Sequence, residues 1–255
     1  MIAFPNCKIN LGLHVVGQRP DGYHDIETLF LPVHSLRDEL EISESSELQM
    51  QQEGIALDSA PADNLCLRAW QLLHEEFAIP AVSIRLKKGI PFGAGLGGGS
   101  SDAAFTLKML NEMFSLCLTE GRLEQLAARL GADCAFFVRN RPAYATGIGE
   151  RLDPFDLDLE GFRTEVALPP EEHVSTREAY AGLDRGRFGQ PRPDLRQAAR
   201  LPVEQWRGLI VNDFEASVFP AHPAIAQLKE EMYRHGAAYA SMSGSGAAVY
   251  GIFPR

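Results

Sequence analysis

The sequence predicts a protein of the α+β class, and three features of the chain carry that prediction. The first part of the chain follows a strand, turn, strand pattern. The middle places a glycine-rich run between an alternating strand and an amphipathic helix. The second half opens and closes with strand patterns and has helical patterns between them. Elements of both kinds bury their apolar faces by packing in layers around a core.

Composition restricts the class of protein. The 255 residues are 45% hydrophobic and 23% charged, which is the balance of a globular protein. The net charge of -10 gives no positive electrostatic potential that would attract a nucleic-acid backbone, so we expect no nucleic-acid partner. The chain starts without a basic and apolar leader, and no run approaches the roughly 18 apolar residues of a membrane span. We therefore expect a cytoplasmic protein with no membrane partner, as a monomer or homodimer.

Cysteine and histidine patterns argue against disulfides and against a resident metal. The four cysteines form no CxxC pair and lie in apolar or helical surroundings, as reduced thiols do. The seven histidines show no HExxH or similar ligand spacing. Any metal should therefore arrive with the substrate.

The first elements are a hairpin and a helix. Residues 7–16 and 24–33 have strand patterns on either side of the turn-forming segment 17–22, which predicts a β-hairpin. Asp63 or Asn64 is the predicted N-cap of the helix that follows.

The later elements surround the glycine-rich run and then change in character. Residues 81–86 alternate as a half-buried strand that leads into the glycines, and two helices follow, the second ending at Gly131. Periodicity fails over 147–162, where Gly, Pro and Asp accumulate, so a domain junction is expected there. We place the domains at 1–152 and 153–255. The second domain is predicted to contain strands at 163–168 and 247–253 and helices at 176–183 and 224–235.

The glycine-rich run is the feature that points to chemistry. Five of the seven residues from Gly93 to Gly99 are glycine, and Ser100 and Ser101 follow at the start of the predicted helix. Backbone N–H groups in such a loop, together with the positive end of the helix dipole, bind phosphate oxygens. Either serine could also cap the helix or contact a phosphate-bound Mg²⁺. The run therefore predicts a nucleotide-phosphate site.

Other interpretations of this run are weaker. A flexible linker would not stand between a regular strand and a regular helix. Gly93, Gly95 and Gly98 satisfy the dinucleotide pattern G-x-G-x-x-G. That pattern normally follows a buried apolar strand, whereas the polar pair Lys87 and Lys88 precedes it here. The P-loop pattern G-x-x-x-x-G-K-[ST] does not occur.

The chain resembles the GHMP kinases in segments that follow one another in that family's order. The segments are 8–14 (KINLGLH), 19–24 (RPDGYH), 93–105 (GAGLGGGSSDAAF), 131–137 (GADCAFF) and, near the end, 243–246 (SGSG). Several motifs in the right order and spacing are far more specific than one glycine loop.

The resemblance implies a fold and a reaction. The fold is a two-domain one, with an N-terminal domain like domain 2 of ribosomal protein S5 and a ferredoxin-like C-terminal domain. The reaction is transfer of the γ-phosphate of ATP, bound with Mg²⁺ as MgATP, to an alcohol. Within the family, the segments point to members whose acceptor is the 2-hydroxyl of 4-(cytidine 5′-diphospho)-2-C-methyl-D-erythritol (CDP-methylerythritol), in the non-mevalonate isoprenoid pathway. The partners implied are ATP and this small molecule.

Two residues carry the predicted transfer chemistry. Asp133 follows a helix stop and leads into an apolar segment, and the resemblance makes it the candidate base for the acceptor hydroxyl. Lys8, on the first strand, is the matching cation, able to hold a carboxylate ionised and to polarise the hydroxyl or the phosphoryl group. Without the family context, a helix cap would explain Asp133 and a solvated edge charge would explain Lys8 at least as well.

The resemblance also assigns binding positions. Asn10 would lie beside the reacting hydroxyl, and Thr176 would line the substrate pocket. Tyr23 and His24 would hold the cytosine ring, with Tyr180 as the opposing aromatic; packing at a domain surface is the alternative for all three. The positions assigned to the nucleotide are Pro91, Gly93, Gly95, Leu96, Gly97, Gly98, Gly99, Ser100, Ser101, Asn64, Lys88 and Asn111. Asn64 is equally well explained as a helix cap.

Three other functions stay open at this point. The protein could be a GHMP kinase for another alcohol such as homoserine or mevalonate, a nucleotide-binding module without catalysis, or a nicotinamide oxidoreductase. Tyr23 and Tyr180 argue against the first, since those alcohols carry no base. Members of the family usually continue past the last strand into a C-terminal helix, whereas this sequence stops at Arg255, and this departure leaves open what covers the C-terminal sheet.

Overall fold

The computed structural model describes residues 1–55 and 64–255, which form two compact units. Unit 1 comprises Met1–Cys7, His34–Phe92 and Gly97–Asn140, and unit 2 comprises Lys8–Val33, Gly93–Leu96 and Arg141–Arg255. The domain boundary between residues 152 and 153 stays a prediction. No helix in the described ranges is long and apolar enough to cross a membrane.

Strands and helices occur along the whole chain. The strands are β1 (Ile2–Ala3), β2 (Asn6–Gln18), β3 (His24–Arg37), β4 (Glu39–Glu44), β5 (Gln49–Gly54), β6 (Val82–Lys88), β7 (Ala143–Thr146), β8 (Arg151–Pro154), β9 (Phe162–Ala167), β10 (Tyr239–Met242) and β11 (Val249–Pro254). The α-helices are α1 (Leu65–Phe77), α2 (Gly98–Met113), α3 (Glu120–Ala128), α4 (Cys134–Arg139), α5 (Thr176–Ala181), α6 (Leu195–Ala198), α7 (Phe214–Val218) and α8 (Pro223–Arg234). The mixture confirms the predicted α+β class.

Unit 1 combines a sheet with the helices α1 to α4. Its strands lie in the order β1-β4-β6-β5, and β6 pairs antiparallel with β4 and parallel with β5. Along β6, the buried Val82, Ile84 and Leu86 alternate with more exposed residues, as the sequence pattern predicts. The strand therefore presents one face to the helices and delivers the chain to the glycine-rich run.

Helix α1 confirms one capping prediction. The side chain of Asn64 accepts a hydrogen bond from the backbone N–H of Cys66 at 2.9 Å, so Asn64 is the N-cap. The other predicted candidate, Asp63, lies outside the described residues. The apolar positions Cys66, Ala69, Leu72 and Leu73 are buried, at the spacing of one helical face.

Unit 2 contains two sheets and the helices α5 to α8. Most of β2 and β3 belongs to a sheet of order β2-β3-β7-β8, which confirms the predicted hairpin, and the other sheet has the order β10-β11-β9. A buried core joins Leu13 and Val15 of β2 to Ile26 of β3, to Phe214 of α7 and to Val249 of β11. The predicted second-half strands and helices are present, with ends shifted by a few residues.

Gly12 changes which residues of β2 face this core. Its φ of 70° lies in the left-handed region, and a Cβ there would lie 2.6 Å from Leu195 Cδ2. Before Gly12, the even-numbered Asn10 contacts Thr28 of β3, whereas after it the odd-numbered Leu13 packs with Ile26. Thr28 and Ile26 lie on one face of β3, since alternate residues share a face. The left-handed residue therefore brings Asn10 and Leu13 to the same side of the sheet.

Candidate active site

Lys8 and Asn10 lie in a buried polar network of unit 2. They are 3% and 2% exposed, so the solvated-edge alternative for Lys8 is wrong. Lys8 Nζ donates to Asn10 Oδ1 at 2.6 Å and to the carbonyl oxygen of Gly95 at 3.1 Å. Asn10 Nδ2 in turn donates to Thr28 Oγ1 at 3.1 Å. Since a buried charge is tolerated only when it is hydrogen-bonded, this network fixes the position of the Lys8 ammonium.

The first half of the glycine-rich run is held by its carbonyl oxygens. The carbonyl of Ala94 accepts from Ala248 N at 3.2 Å, and that of Leu96 accepts from Lys8 N at 2.9 Å. The carbonyl of Gly95 accepts from Ser243 Oγ at 2.9 Å. A loop whose carbonyls are engaged by the protein can present N–H groups to an anion.

Gly95 can only be glycine in this arrangement. Its φ is 76°, and an added Cβ would lie 2.1 Å from the carbonyl oxygen of Ser243 and 3.3 Å from the backbone nitrogen of Gly246. Backbone atoms cannot yield as a flexible side chain can. The predicted close approach of another backbone to the glycine-rich run therefore occurs at Gly95, where the Ser243 carbonyl lies against it.

The second half of the run begins helix α2 and corrects the capping prediction for the serines. Gly97, with a φ of 70°, is the N-cap, so Ser100 and Ser101 lie inside the first turn and neither caps the helix. The glycine takes the cap because it adopts the left-handed conformation without strain. The Ser101 side chain is fully buried, and Ser100 is half-buried.

Asp133 stands at the start of helix α4, in unit 1. It occupies the N-cap position, but its side chain makes no capping hydrogen bond, which disfavours the capping explanation. The residue is half-buried, and the segment that follows, from Cys134 to Val138, is buried throughout. The partial burial of the Asp133 carboxylate agrees with the prediction made from the apolar segment that follows it.

The side chains of Lys88 and Asn111, two predicted nucleotide contacts, are hydrogen-bonded to protein atoms. Lys88 is 4% exposed, and its ammonium is bonded to the carboxylates of Asp38 and Asp102. The side chain of Asn111 accepts from Leu118 N at 2.9 Å and donates to the carbonyl oxygen of the same residue at 3.3 Å. Both side chains are engaged by the fold, since each polar end is bonded to protein atoms. Pro91 remains half-buried beside the run.

Aromatic rings gather around His24 in unit 2. The His24 ring is stacked on Tyr180 with centroids 4.5 Å apart, and it meets Phe188 edge-on at 6.0 Å. Burial, followed by the positive charge of Arg185, lowers the pKa of His24, so its ring is neutral near pH 7. Tyr23, which is also predicted to hold the cytosine ring, is 61% exposed. The structure therefore brings His24 against Tyr180.

Helix α5 carries two residues predicted to bind the substrate, and a histidine is hydrogen-bonded to the helix and to the segment before it. Thr176 begins the helix, with its hydroxyl 3.4 Å from that of Ser245, and Tyr180 lies one turn later. His222 bonds through Nδ1 to Glu172, before the helix, at 2.6 Å and through Nε2 to Glu178, within it, at 3.1 Å. These hydrogen bonds, to Glu172 first and then Glu178, raise the pKa of His222 above its ordinary value of 6.5.

The hydrogen bonds of His222 with Glu172 and Glu178 should make the stability of the protein depend on pH. Because the folded pKa is raised, the added stability is complete below pH 6.5 and declines as pH rises through the raised pKa. We expect His222→Gln to be less stable than wild type by about 1 kcal/mol at acidic pH and nearly equal to it at alkaline pH. Urea unfolding of both proteins from about pH 5.5 to about pH 8.5 measures this difference. A constant difference across the range would contradict it.

Several hydrogen bonds of the network were not predicted from the sequence. The hydroxyl of Ser243 accepts from Asn10 N at 3.2 Å, and that of Tyr250 donates to the Asn10 carbonyl at 2.9 Å. Asn212 Nδ2 donates to the carbonyl oxygens of Met242 and Gly244, bracing the 243–246 turn. The sequence signal for this network is a polar residue, Thr28, among the apolar residues of strand β3. In the described ranges no three His, Cys, Asp or Glu side chains converge as a metal site.

Comparison with known proteins decides the family. The model of the GHMP kinases N-terminal domain matches residues 64–141, and that of the GHMP kinases C-terminal domain matches residues 180–255. The chain belongs to the GHMP kinase family. A 4-diphosphocytidyl-2-C-methyl-D-erythritol kinase of Bacteroides thetaiotaomicron is 51% identical over 99% of this chain and 92% of its own length. One from Azobacteroides pseudotrichonymphae is 48% identical over 100% and 94%.

Solved structures agree with that assignment. A crystal structure of 4-(cytidine 5′-diphospho)-2C-methyl-D-erythritol kinase matches this GHMP kinase with a TM-score of 0.82 and 34% identity, over 99% of this chain and 90% of the other. A mevalonate kinase matches with a TM-score of 0.73 at 14% identity, over 99% and 91%. The latter likeness shows the shared fold alone.

Family membership confirms the two-domain GHMP kinase fold and the predicted ATP-dependent phosphotransferase activity. The dinucleotide pattern within 93–98 is therefore part of a kinase loop, and a nicotinamide oxidoreductase is excluded. Homoserine and mevalonate as acceptors are not favoured, since the relatives at about half identity carry another name.

Proposed function

We propose that this kinase phosphorylates the 2-hydroxyl of CDP-methylerythritol, using MgATP and giving the 2-phosphate and ADP. The observation that carries the proposal is the 51% identity, over nearly the full length, to a relative named for this activity. The aromatic rings of His24, Tyr180 and Phe188 support it, because an aromatic face can stack on a cytosine ring, whereas homoserine and mevalonate carry no base. A cytoplasmic location fits this pathway.

The glycine-rich run suits the triphosphate of ATP. Gly95 sits where a Cβ would collide with backbone, so the loop is shaped by residues without side chains. The dipole of the 16-residue helix α2 adds positive potential behind it. Mg²⁺, entering with the nucleotide, would neutralise charge on the phosphates. Ser100, half-buried in the first turn of α2, is the hydroxyl we assign to that region.

We assign different roles in phosphoryl transfer to the predicted site residues. Asp133 accepts the proton of the acceptor hydroxyl as the oxygen attacks. Lys8, held by Asn10 and Gly95, stabilises negative charge that develops on the transferring group. Thr176 and Tyr180, fixed through α5, orient the acceptor, so that the hydroxyl meets the phosphate in line.

An acceptor comparison tests the substrate assignment. We expect purified protein with MgATP to phosphorylate CDP-methylerythritol and to leave mevalonate and homoserine unchanged at equal concentration. Cytidine monophosphate should inhibit competitively against the acceptor and not against ATP, since the base occupies the acceptor pocket. Turnover of mevalonate or homoserine, with no effect of the cytidine nucleotide, would overturn the assignment while leaving the kinase intact.

A further inference from the structure

Unit 1 buries one lysine and two aspartates that have no part in the proposed chemistry. Lys88, at the end of β6, is 4% exposed, and Asp38 and Asp102 are 2% exposed each. Lys88 Nζ donates to Asp102 Oδ2 at 2.7 Å and also to Asp38 Oδ2. Replacing such a buried ionic cluster by apolar residues is often neutral or stabilising, so its presence is weak evidence of a stability role. Its position in the chain indicates another use.

The cluster joins the two ends of the glycine-rich run. Asp38 Oδ1 accepts hydrogen bonds from the backbone N–H groups of Gly89 at 2.6 Å and Ile90 at 2.8 Å, immediately before the run. Asp102 lies in the first turns of α2, immediately after it. Because Lys88 binds both carboxylates, one ammonium connects the backbone that leads into the loop with the helix that leads out of it.

Packing and charge keep this connection rigid. A Cβ on Gly98 would lie 2.9 Å from Ile90 Cγ2 and 3.3 Å from Lys88 Nζ, so α2 begins in direct contact with the cluster. Burial lowers the pKa of Lys88, but the two carboxylates outweigh it and the net direction is upward, so the ammonium stays charged. Burial raises the pKa of Asp102, and the neighbouring Lys88 ammonium opposes that rise. Among the described residues Asp102 Oδ1 has no hydrogen-bond partner, which leaves Lys88 to fix that carboxylate.

We infer that Asp38, Lys88 and Asp102 are positioning residues that fix the conformation of the phosphate-binding loop and thereby set the affinity for nucleotide. The inference rests on the proposed binding of ATP by this loop. All three act through Gly89, Ile90 and the start of α2, and not by touching the phosphates. A loop held in its binding conformation before the ligand arrives loses less entropy on binding, so its N–H groups bind more tightly.

The double variant Lys88→Met/Asp102→Leu removes the ionic bridge between the two ends of the loop. It replaces the bridging pair by apolar side chains of similar size and leaves Asp38 bonded to the loop backbone. Asp38 keeps its backbone hydrogen bonds but loses its counter-ion, so we expect a melting temperature below that of wild type. In the folded variant, the Kd for MgATP, measured by calorimetry, should be raised by about tenfold or more. Amides of residues 89–97 should exchange hydrogen faster in the ligand-free protein. The KM for the acceptor should change by less than about twofold, since Tyr180 and Thr176 are unaltered.

Arg122→Met is the matched control. It breaks an ion pair with Glu76, also in unit 1 but between helices α3 and α1, and should leave the Kd for MgATP unchanged. A folded double variant with wild-type MgATP affinity and wild-type exchange at 89–97 would overturn the inference. If the double variant does not fold, Asp102→Asn, which retains the bond between Lys88 and Asp38, must still raise the Kd, and wild-type affinity in it would equally overturn the inference. Failure of the wild-type protein to bind MgATP would instead overturn the proposed role of the loop.

Discussion

Replacing Asp133 with asparagine is expected to lower kcat by about 10²-fold to 10⁴-fold and to leave the affinity for ATP nearly unchanged. The amide has the size of the carboxylate but cannot accept the proton of the acceptor hydroxyl. Since the Asp133 side chain makes no capping hydrogen bond to α4, the substitution should not weaken the helix. Steady-state kcat, together with calorimetric titration of MgATP, measures the two effects separately.

An exposed aspartate provides the control for this substitution. Asp158 lies on a loop and accepts a hydrogen bond from Glu160 N at 2.8 Å, so Asp158→Asn removes one charge at an exposed position. It should retain wild-type kcat. Wild-type turnover in Asp133→Asn would remove Asp133 from the mechanism.

Replacing Gly95 with alanine is expected to lower kcat/KM for ATP by about 10²-fold. The added methyl would lie 2.1 Å from the Ser243 carbonyl oxygen, and the φ of 76° is unfavourable for alanine. Because the obstacle is backbone, the loop itself must move, and its carbonyl would leave the Lys8 ammonium. Kinetics with varied ATP, and a thermal melt to verify folding, measure the outcome.

Gly121→Ala is the matched control for the glycine substitution. Gly121 lies in helix α3, and an added Cβ there would have no neighbour within 4 Å. Alanine is favoured over glycine in helices by up to about 1 kcal/mol, so this variant should be at least as stable as wild type and fully active. Wild-type kcat/KM in Gly95→Ala would show that the close approach to Ser243 is not needed.

The parts of the fold that were predictable depend on local chemistry. Asn64 caps α1 because its side chain reaches a free N–H group two residues on, which is a local event. The β6 strand alternates in the sequence and in its burial, and the glycine-rich run stands between that strand and α2. Periodicity of apolar residues and turn chemistry carry this information, since they act over a few neighbouring residues.

The parts that were not predictable depend on contacts between distant residues. Lys88 is buried by ion pairs with Asp38, 50 residues earlier, and with Asp102, 14 residues later, and no local pattern shows either pair. Gly97, and not a serine, caps α2 because it adopts the left-handed conformation, and the four other glycines of the run make that position hard to identify from the sequence. His24 stacks on Tyr180 although the two rings come from elements far apart in the chain, so no local pattern predicts the contact. The family resemblance supplied the roles of Lys8 and Asp133, which no local pattern gives.

The release of ADP from MgATP by purified protein, with and without CDP-methylerythritol, tests the central claim most directly. Phosphorus NMR of the same reaction identifies the product. We expect ADP to form only when the acceptor is present, together with a new phosphomonoester signal in equal amount. MgATP binding without turnover of this acceptor, or ADP release that does not depend on it, would contradict the proposed function.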